Sequence, residues 1–318
     1  MQGFGAVFRK ELRDHFTSYR FIILFGLIAM VSFITSYMAA IHMQENLESL
    51  TGVESPFLTL FRTPGAMLSM VQFVAFFGPL IGLVLGFDAI NRERAQGTLI
   101  KVLSQPIYRD AVINGKFLAG VVTIGTMLLA ILLVISGFGL AIVGVVPGPE
   151  EIWRLFFYLI ISVFYISFWL GLSILFSILF KSIATSALAS VALWIFLSFF
   201  VTLGAEVVAD SVAPAGKKGS DPQAVLRNAE VKKQVSLFSP MVLYTDSTAT
   251  IIDPMRKTTS SLVLRGRIER LLSSRFENPL GLGQSVVIVL PYIAILIAIT
   301  LICFAVSYVV FMVQEIRV

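Results

Sequence analysis

The chain has 318 residues, of which 57% are hydrophobic and only 14% are charged, and its formal net charge is +5. Soluble domains carry roughly a quarter charged residues, so this composition excludes a chain that is surrounded only by water. It suits a chain whose solvent is mostly lipid. In such a chain, excess positive charge is typical of loops that face anionic headgroups, and we predict no nucleic acid partner.

Six long stretches without an acidic or basic side chain predict six transmembrane helices. A helix needs about 20 residues to cross the hydrocarbon core, and each stretch is long enough. Their continuous apolar character excludes the alternating pattern of membrane β-strands. We therefore predict an all-α integral membrane protein, a six-helix bundle. The stretches are Phe21–Ile41, Thr63–Phe87, Phe117–Val146, Leu155–Phe180, Ser182–Ala205 and Gln284–Val313.

Lysine and arginine predict the orientation of the bundle. Eleven of them flank the spans on one side, whereas only Arg62 and Arg154 lie in short loops on the other. Because basic residues accumulate on the cytoplasmic side, both termini are placed in the cytoplasm of a multi-pass protein of the cell membrane. The long loop after span five holds eleven more, which are left out because long loops translocate largely regardless of charge.

These features divide the chain into four parts. Residues 1–20 are predicted as an interfacial helix and residues 207–283 as a large, partly helical external loop domain. Spans one to five occupy residues 21–206, with a cytoplasmic loop at 88–116, and span six with a short tail occupies residues 284–318.

The first twenty residues have the pattern of an amphipathic helix. Phe4, Phe8, Leu12 and Phe16 recur every four residues and form one apolar stripe. Such a helix lies in the membrane interface with its charges among the headgroups. Phe8, Leu12 and Phe16 are the predicted interfacial contacts. The helix is either an anchoring flange or a lever that transmits force from a cytoplasmic partner.

The loop after span two is the most informative segment. Gly97 weakens the helix there, and Thr98 can cap a short new helix whose apolar face includes Leu99 and Leu103. A short helix with exposed leucines and flanking charges suits a docking peg for another protein. Periodicity alone leaves an interfacial re-entrant turn as the alternative.

The segment resembles the first cytoplasmic loop of the ABC-2 (ATP-binding-cassette type-2) permeases. In that family an acidic residue and a glutamate lead into Gly-Thr-Leu, followed by Ser-x-Pro, an arginine and Gly-Lys. The N-terminal Lys10-Glu11-Leu12-Arg13 also resembles the family's interfacial helix, and the six-span order agrees. The matching residues in the loop are Asp88, Glu93, Gly97-Thr98-Leu99, Ser104-Gln105-Pro106, Arg109 and Gly115-Lys116.

The resemblance implies a function for the chain. It would be the permease subunit of an exporter, and its coupling helix would fit a groove on a cytoplasmic ATPase subunit, present in two copies. ATP and magnesium would belong to that partner, and this chain would bind no cofactor. A second permease, most simply an identical one, would complete the transport path. The implied docking residues are Glu93, Arg94, Gly97, Thr98, Leu99 and Leu103.

The residues themselves are compatible with a non-enzymatic role. The sequence has no G-x-x-x-x-G-K-[ST] phosphate-binding motif. Ionisable groups are nearly absent from the spans, although ion-coupled carriers need them. Two alternatives stay open: a stand-alone channel or secondary carrier, and a non-transporting membrane scaffold. The cargo cannot be read from these residues.

Two further features concern packing and the external loop. Gly78, Gly82 and Gly86 form a small-residue stripe that packs either within the chain or at a dimer seam. In the loop, Ser239-Pro240 predicts a helix start and Asp253-Pro254 its end near Ile252. A second amphipathic helix is predicted at Leu262–Leu272. The loop would be a docking surface for an external accessory protein or a solvated lid.

Overall fold

The computed structural model describes residues 3–45, 56–62, 70–98, 107–214, 222–254 and 280–314. These residues form helices and connecting turns, with no strand among them. Single π-helical turns lie at Gly139–Val143 and Phe196–Phe200 and continue the α-helices that end at Phe138 and Ile195. The α-helices are α1 (Phe4–Thr17), α2 (Tyr19–Glu45), α3 (Pro56–Arg62), α4 (Met70–Gly86), α5 (Asn91–Ala95), α6 (Arg109–Phe138), α7 (Pro149–Leu179), α8 (Ile183–Ile195), α9 (Val201–Val212), α10 (Pro222–Ser236), α11 (Pro240–Ile252) and α12 (Leu282–Val313).

Within the described residues, six segments are long and apolar enough to cross a membrane, which confirms the predicted six-span all-α bundle. Several of them are longer than the charge-free stretches. A charged side chain ends an apolar run, but it does not end the helix. The spans are Tyr19–Ile41, Met70–Ala95, Arg109–Val143, Pro149–Leu179, Ile183–Val212 and Leu282–Val313.

Spans two and four form the centre of the bundle. The most apolar parts of both are 67% buried, compared with 17% for span five. The fourth span, α7, packs against α4, α6, α8, α11 and α12. Each of the other four spans therefore packs on at least one member of the pair formed by α4 and α7.

The glycine stripe of α4 lies against α7. A Cβ atom at Gly82 would be 2.6 Å from the carbonyl oxygen of Ile166, and one at Gly86 would overlap Ser173. A Cβ at Gly78 would press on the Ile166 side chain at 3.0 Å. In the structure the stripe thus provides close backbone approach within the chain.

We expect Gly82→Ala to destabilise the bundle by about 1–3 kcal/mol, because the added methyl must push α4 and α7 apart. Thermal unfolding of the purified chain in mild detergent measures the effect. Gly26→Ala in α2 is the matched control, because a Cβ there meets nothing within 4 Å. Equal melting temperatures for the two variants would contradict the packing described.

The helix predicted after Ser239 is present as α11, but it does not lie on the outside. All but two of its thirteen residues are buried, against α12, α7 and α4. The Ser239 hydroxyl makes no capping hydrogen bond. This part of the loop is therefore neither a solvated lid nor an exposed docking surface. The predicted helix at Leu262–Leu272 lies outside the described residues.

Arg154 is also placed differently from the sequence prediction. It belongs to α7 instead of a short loop, and it is completely buried. Burial is tolerated because its guanidinium donates to the carbonyl oxygens of Ile251 (2.8 Å) and Leu280 (2.6 Å) and to Glu150 (2.8 Å). A fourth oxygen, Ser285 Oγ, lies at 3.3 Å. Arg154 thus joins the end of α11 to the start of α12.

Candidate functional site

The predicted coupling segment, of which the structure describes residues 88–98, lies at one end of the bundle. We call it the α1 end; α4, α7 and α12 finish there, and α6 and α8 begin there. α5 follows α4 after a short turn, and a residue of α7 fixes its start. The amides of Ile90 and Asn91 both donate to the Ser177 hydroxyl oxygen, at 2.9 and 3.1 Å. The Asn91 side chain also donates to the carbonyl oxygen of Ser182, which precedes α8, at 3.4 Å. α5 is therefore attached to spans four and five.

Four charged side chains meet between α1, α5 and α6, and we call them the ion quartet: Lys10, Glu11, Glu93 and Lys116. Lys116 Nζ lies 2.8 Å from Glu11 Oε1 and 3.0 Å from Glu93 Oε1. Lys10 Nζ lies 2.9 Å from the same two oxygens. The Lys116 side chain is only 4% exposed, so its charge depends on these partners.

The quartet keeps its members on α1 charged. Burial disfavours the ammonium of Lys10, but its hydrogen bonds to Glu93 and Glu11 outweigh burial and raise the pKa of Lys10. Burial also disfavours the carboxylate of Glu11. The charge and hydrogen bonds of Lys116, with those of Lys10, outweigh it and lower the pKa of Glu11. α1 is therefore held to the bundle by paired charges at neutral pH.

Polar contacts link the same segment to spans one and six. Arg20 at the start of α2 pairs with Asp88 at 2.6 Å. Arg94 donates to the Gln314 side chain at 3.0 Å, at the end of α12. Arg109 donates to the Gln314 carbonyl oxygen at 3.2 Å. Residues 88–94 continue span two and thus contact the ends of the other five spans.

The structure brings some predicted docking residues together with this network. Glu93 is a buried member of the ion quartet, and Arg94 reaches α12. Gly97 has φ +67°, a left-handed conformation that favours glycine and ends α5. The Thr98 hydroxyl donates back to the Glu93 carbonyl oxygen at 3.2 Å. Leu99 and Leu103 lie outside the described residues.

The face of α1 that packs on α6 is narrower than the apolar stripe suggests. Val7 and Glu11 are its buried residues. Phe8 and Leu12 are partly buried beside them, and Phe16 is 41% exposed. A lipid-facing role for the stripe remains a prediction, because the helix docks through a different face.

The sequence analysis missed Ser177, Gln314 and the pairing of Glu11 with Lys116. One signal was available for the pair: a lysine at the edge of an apolar span requires a counter-charge when it is buried. Nothing in the sequence pattern identifies the counter-charge as Glu11, which lies 105 positions away along the chain.

A cleft of about 990 Å³ opens beside the quartet, between α1 and the coupling segment. Its wall includes His15, Arg20, Asp88 and Lys116. Among the described residues, no group of three histidine, cysteine or acidic side chains could hold a metal ion. The arrangement offers noncovalent contacts between helices, as a device that transmits movement requires.

Acidification is expected to weaken the docking of α1. Burial lowers the pKa of His15, and the positive charge of Lys116 lowers it further. The nearby carboxylates Glu11, Asp14 and Asp88 raise this pKa, but they do not offset burial. Below its ordinary pKa of about 6.5, free α1 takes up a proton that docked α1 resists. The lowered pKa of Glu11 acts in the same direction only at lower pH: its stabilising contribution is fully present above the ordinary carboxyl pKa of about 4.3 and is lost as the pH falls through the folded value, below the range in which His15 titrates.

Amide exchange of α1 in detergent, measured between pH 7.5 and 5, tests this expectation. After correction for the intrinsic exchange rate, we expect the amides of α1 to exchange faster at the lower pH. We expect this exchange to depend less on pH in the His15→Gln variant. Protection that stays constant over this range in the unaltered chain would contradict it.

Comparisons with known proteins agree with this architecture. Residues 5–316 match the model of a family described as ABC-2 family transporter protein. Two curated relatives, from Pseudomonas aeruginosa and Stutzerimonas stutzeri, are each named probable ABC transporter permease protein NosY. Each is 38% identical over 90 residues, which cover 27% of this chain and 30% of the relative. The match thus spans less than a third of either relative. Because the family model covers nearly all of the present sequence, this chain belongs to the ABC-2 family of transporter proteins, as a multi-pass membrane protein.

Proposed function

We propose that the chain is the membrane-spanning half of an ATP-driven exporter and that a separate cytoplasmic ATPase drives it. The observation that carries the proposal is the set of contacts between residues 88–94 and the ends of the other five spans. A force applied beside Gly97 and Thr98 would reach the whole bundle through these contacts. Names of the curated relatives, which include ABC transporter permease, support an ATPase partner.

In the proposed cycle, ATP binding closes two ATPase subunits, and their closure moves the segment at 97–103. α5 follows, because Ser177 fixes its start and Gly97 marks its end. α1 moves with α5 because the ion quartet joins the two helices, so α1 would transmit force as one of its two sequence-based interpretations predicts. The chain contributes docking and motion, while ATP and magnesium are bound by the partner.

The proposed assembly pairs this permease with a second copy in the cell membrane, with both termini in the cytoplasm. The high density of lysine and arginine at the α1 end supports this orientation. The ATPases would then meet the α1 end. The opposite end, with the loop at 207–283, would face an external accessory protein where one exists.

A pull-down from native cells in mild detergent, followed by proteomics, tests the proposal. We expect an ATPase with a Walker motif in stoichiometric amount, and its loss with Leu99→Asp/Leu103→Asp. Leu226→Asp is the matched control, because Leu226 is 53% exposed on α10, which packs on α9. It should leave the ATPase bound.

The alternatives predict other results. A clean preparation without an ATPase would contradict the proposal and favour a stand-alone channel or carrier. Full function of the Leu99→Asp/Leu103→Asp variant, with its assembly retained, would favour a membrane scaffold.

A further inference from the structure

The middle of α4 contains a proline whose missing hydrogen bond is replaced by another helix. Pro79 has no amide hydrogen to donate to the carbonyl oxygen of Ala75, four residues earlier, and its ring crowds that oxygen. The hydroxyl of Tyr165, on α7, donates to the Ala75 oxygen at 2.7 Å. Tyr165 is fully buried. An unpaired carbonyl in the bundle would be costly, so this bond stabilises α4 where Pro79 interrupts its hydrogen bonding.

The same tyrosine contacts α11. Its ring stacks on that of Tyr244, with centroids 4.4 Å apart and planes 13° from parallel. The Tyr244 hydroxyl lies 2.9 Å from Ser162 Oγ. Since the Ser162 hydroxyl donates its hydrogen to the Tyr158 carbonyl oxygen, Tyr244 is the donor to Ser162. Tyr165 therefore contacts α4 at the carbonyl left free by Pro79 on one side and the buried helix α11 on the other.

We call the contacts of Tyr165 with Ala75 and Tyr244 the joint. Between this joint and the α1 end, α4 and α7 are held together as one body. The glycines of α4 bring the two backbones into contact, as described above. Ser173 Oγ of α7 lies 3.1 Å from the Gly82 carbonyl oxygen and 3.0 Å from the Leu170 carbonyl oxygen of its own helix, so its single hydrogen is shared between the two. At the α1 end, Ser177 holds the first amides of α5. A continuous set of close contacts thus runs from the coupling segment to α11.

We propose that α4 and α7 form a single lever that moves α11 when the coupling segment moves, with Tyr165 as the positioning residue at the far joint. This inference rests on the proposed function for the source of the force. α11 is suited to be the moved element, because it packs on α12 as well as on the lever. Displacement of α11 would change the packing of the helices at the end of the bundle opposite the ATPases.

A mutant cycle on the purified chain tests the joint. Tyr165→Phe keeps the ring and removes only the hydroxyl. We expect amide exchange of α11, and of α4 near Pro79, to rise about three- to tenfold, the range for one net hydrogen bond. In a Pro79→Ala background the restored amide can bond to the Ala75 oxygen, so the same change should have little effect. Tyr308→Phe, a tyrosine of α12 away from this joint, is the control.

Equal effects of Tyr165→Phe with and without Pro79→Ala would overturn the joint, because a general loss of packing gives no such coupling. Unchanged exchange of α11 in Tyr165→Phe would overturn it as well.

The complex with its ATPase tests the lever. Amide exchange is compared in nucleotide-free and nucleotide-trapped samples. We expect both residues 88–98 and α11 to respond in the unaltered chain. In Tyr165→Phe the first response should remain, and most of the α11 response should be lost.

A response at residues 88–98 without one at α11 in the unaltered chain would overturn the lever and leave the proposed function standing. An equal α11 response in Tyr165→Phe would also overturn the role of Tyr165. Failure to recover any ATPase would instead contradict the proposed function, and the lever would lose its source of force.

Discussion

Replacement of Lys116 by methionine is expected to destabilise the folded chain by about 3–5 kcal/mol, the usual cost of removing one partner from a buried ion pair. Methionine fills a similar volume, so the effect reports charge more than packing. The loss leaves Glu11 and Glu93 paired, among the residues that the structure describes, only with Lys10, which is half exposed. We expect lower melting temperature in mild detergent and faster amide exchange across α1.

Two further variants separate charge balance from general damage. Lys181→Met removes an exposed lysine between α7 and α8, and it should have little effect on stability. Lys116→Met combined with Glu11→Gln leaves Lys10 paired with Glu93, and it should recover much of the lost stability. A single Lys116→Met variant as stable as the unaltered chain would contradict the buried quartet.

The quartet also bears on coupling, because its four members come from three helices. α1 precedes the first span, whereas Glu93 belongs to the coupling segment. A chain with a loosened α1 would still present residues 97–103 to an ATPase. The proposed function therefore predicts that Lys116→Met reduces stimulation of the ATPase more than it reduces ATPase binding.

The spans were predictable from the sequence because each depends on a local property. A run such as Gln284–Val313 is apolar throughout, so any neighbour, lipid or protein, favours the same helix. The start of α11 was likewise visible at Ser239-Pro240, since proline suits the first helical turn. These features need no knowledge of which helix lies beside which.

The burial of α11 could not be predicted in this way. Its sequence mixes hydroxyl side chains such as Thr245, Ser247 and Thr248 with apolar ones, and resembles that of a half-exposed helix. Each of these three hydroxyls donates to a carbonyl oxygen of its own helix, three or four residues earlier, so it can be buried without an outside partner. Only the packing of α7 and α12 around it shows that it is inside.

The error at Arg154 has a related cause. A charge at the start of an apolar run was interpreted as the edge of a span, but an arginine can be buried where enough oxygens converge. Those oxygens come from Ile251, Leu280 and Ser285, about 100 or more positions away along the chain. Long-range partners of this kind leave no trace in local periodicity.

The two ends of the bundle therefore differ in the polar contacts that hold their helices together. At the α1 end, paired side-chain charges join separate helices. At the opposite end, Arg154 donates to backbone oxygens at the end of α11 and before α12, and the bonds fix the chain path itself. The first arrangement suits the surface that would respond to an ATPase in the proposed function, and the second fixes the end of α11 to α7.

Replacement of Arg154 by methionine is the second change with a large expected effect. The guanidinium is fully buried, and its loss leaves the carbonyl oxygens of Ile251 and Leu280 without their donor. Each buried group left unpaired costs about 1–3 kcal/mol, so we expect a total loss of roughly 3–5 kcal/mol, as for a buried ionic contact. Because Glu150 is 57% exposed, its pairing with Arg154 adds little to this figure. Melting temperature in mild detergent measures the loss.

Local exchange distinguishes this fixed point from a general loss of stability. The amide of Leu280 donates to Pro254 and that of Leu282 to Glu150, so both should exchange faster in Arg154→Met while α1 stays protected. Arg154→Lys keeps the charge but cannot reach all the oxygens. Its melting temperature and amide exchange rates should therefore lie between those of the unaltered chain and those of Arg154→Met. Arg227→Met, on the exposed side of α10, is the matched control and should behave as the unaltered chain. If Arg154→Met and Arg227→Met melted alike, with Leu280 still protected, the closure of α11 onto α12 would have to depend on packing alone.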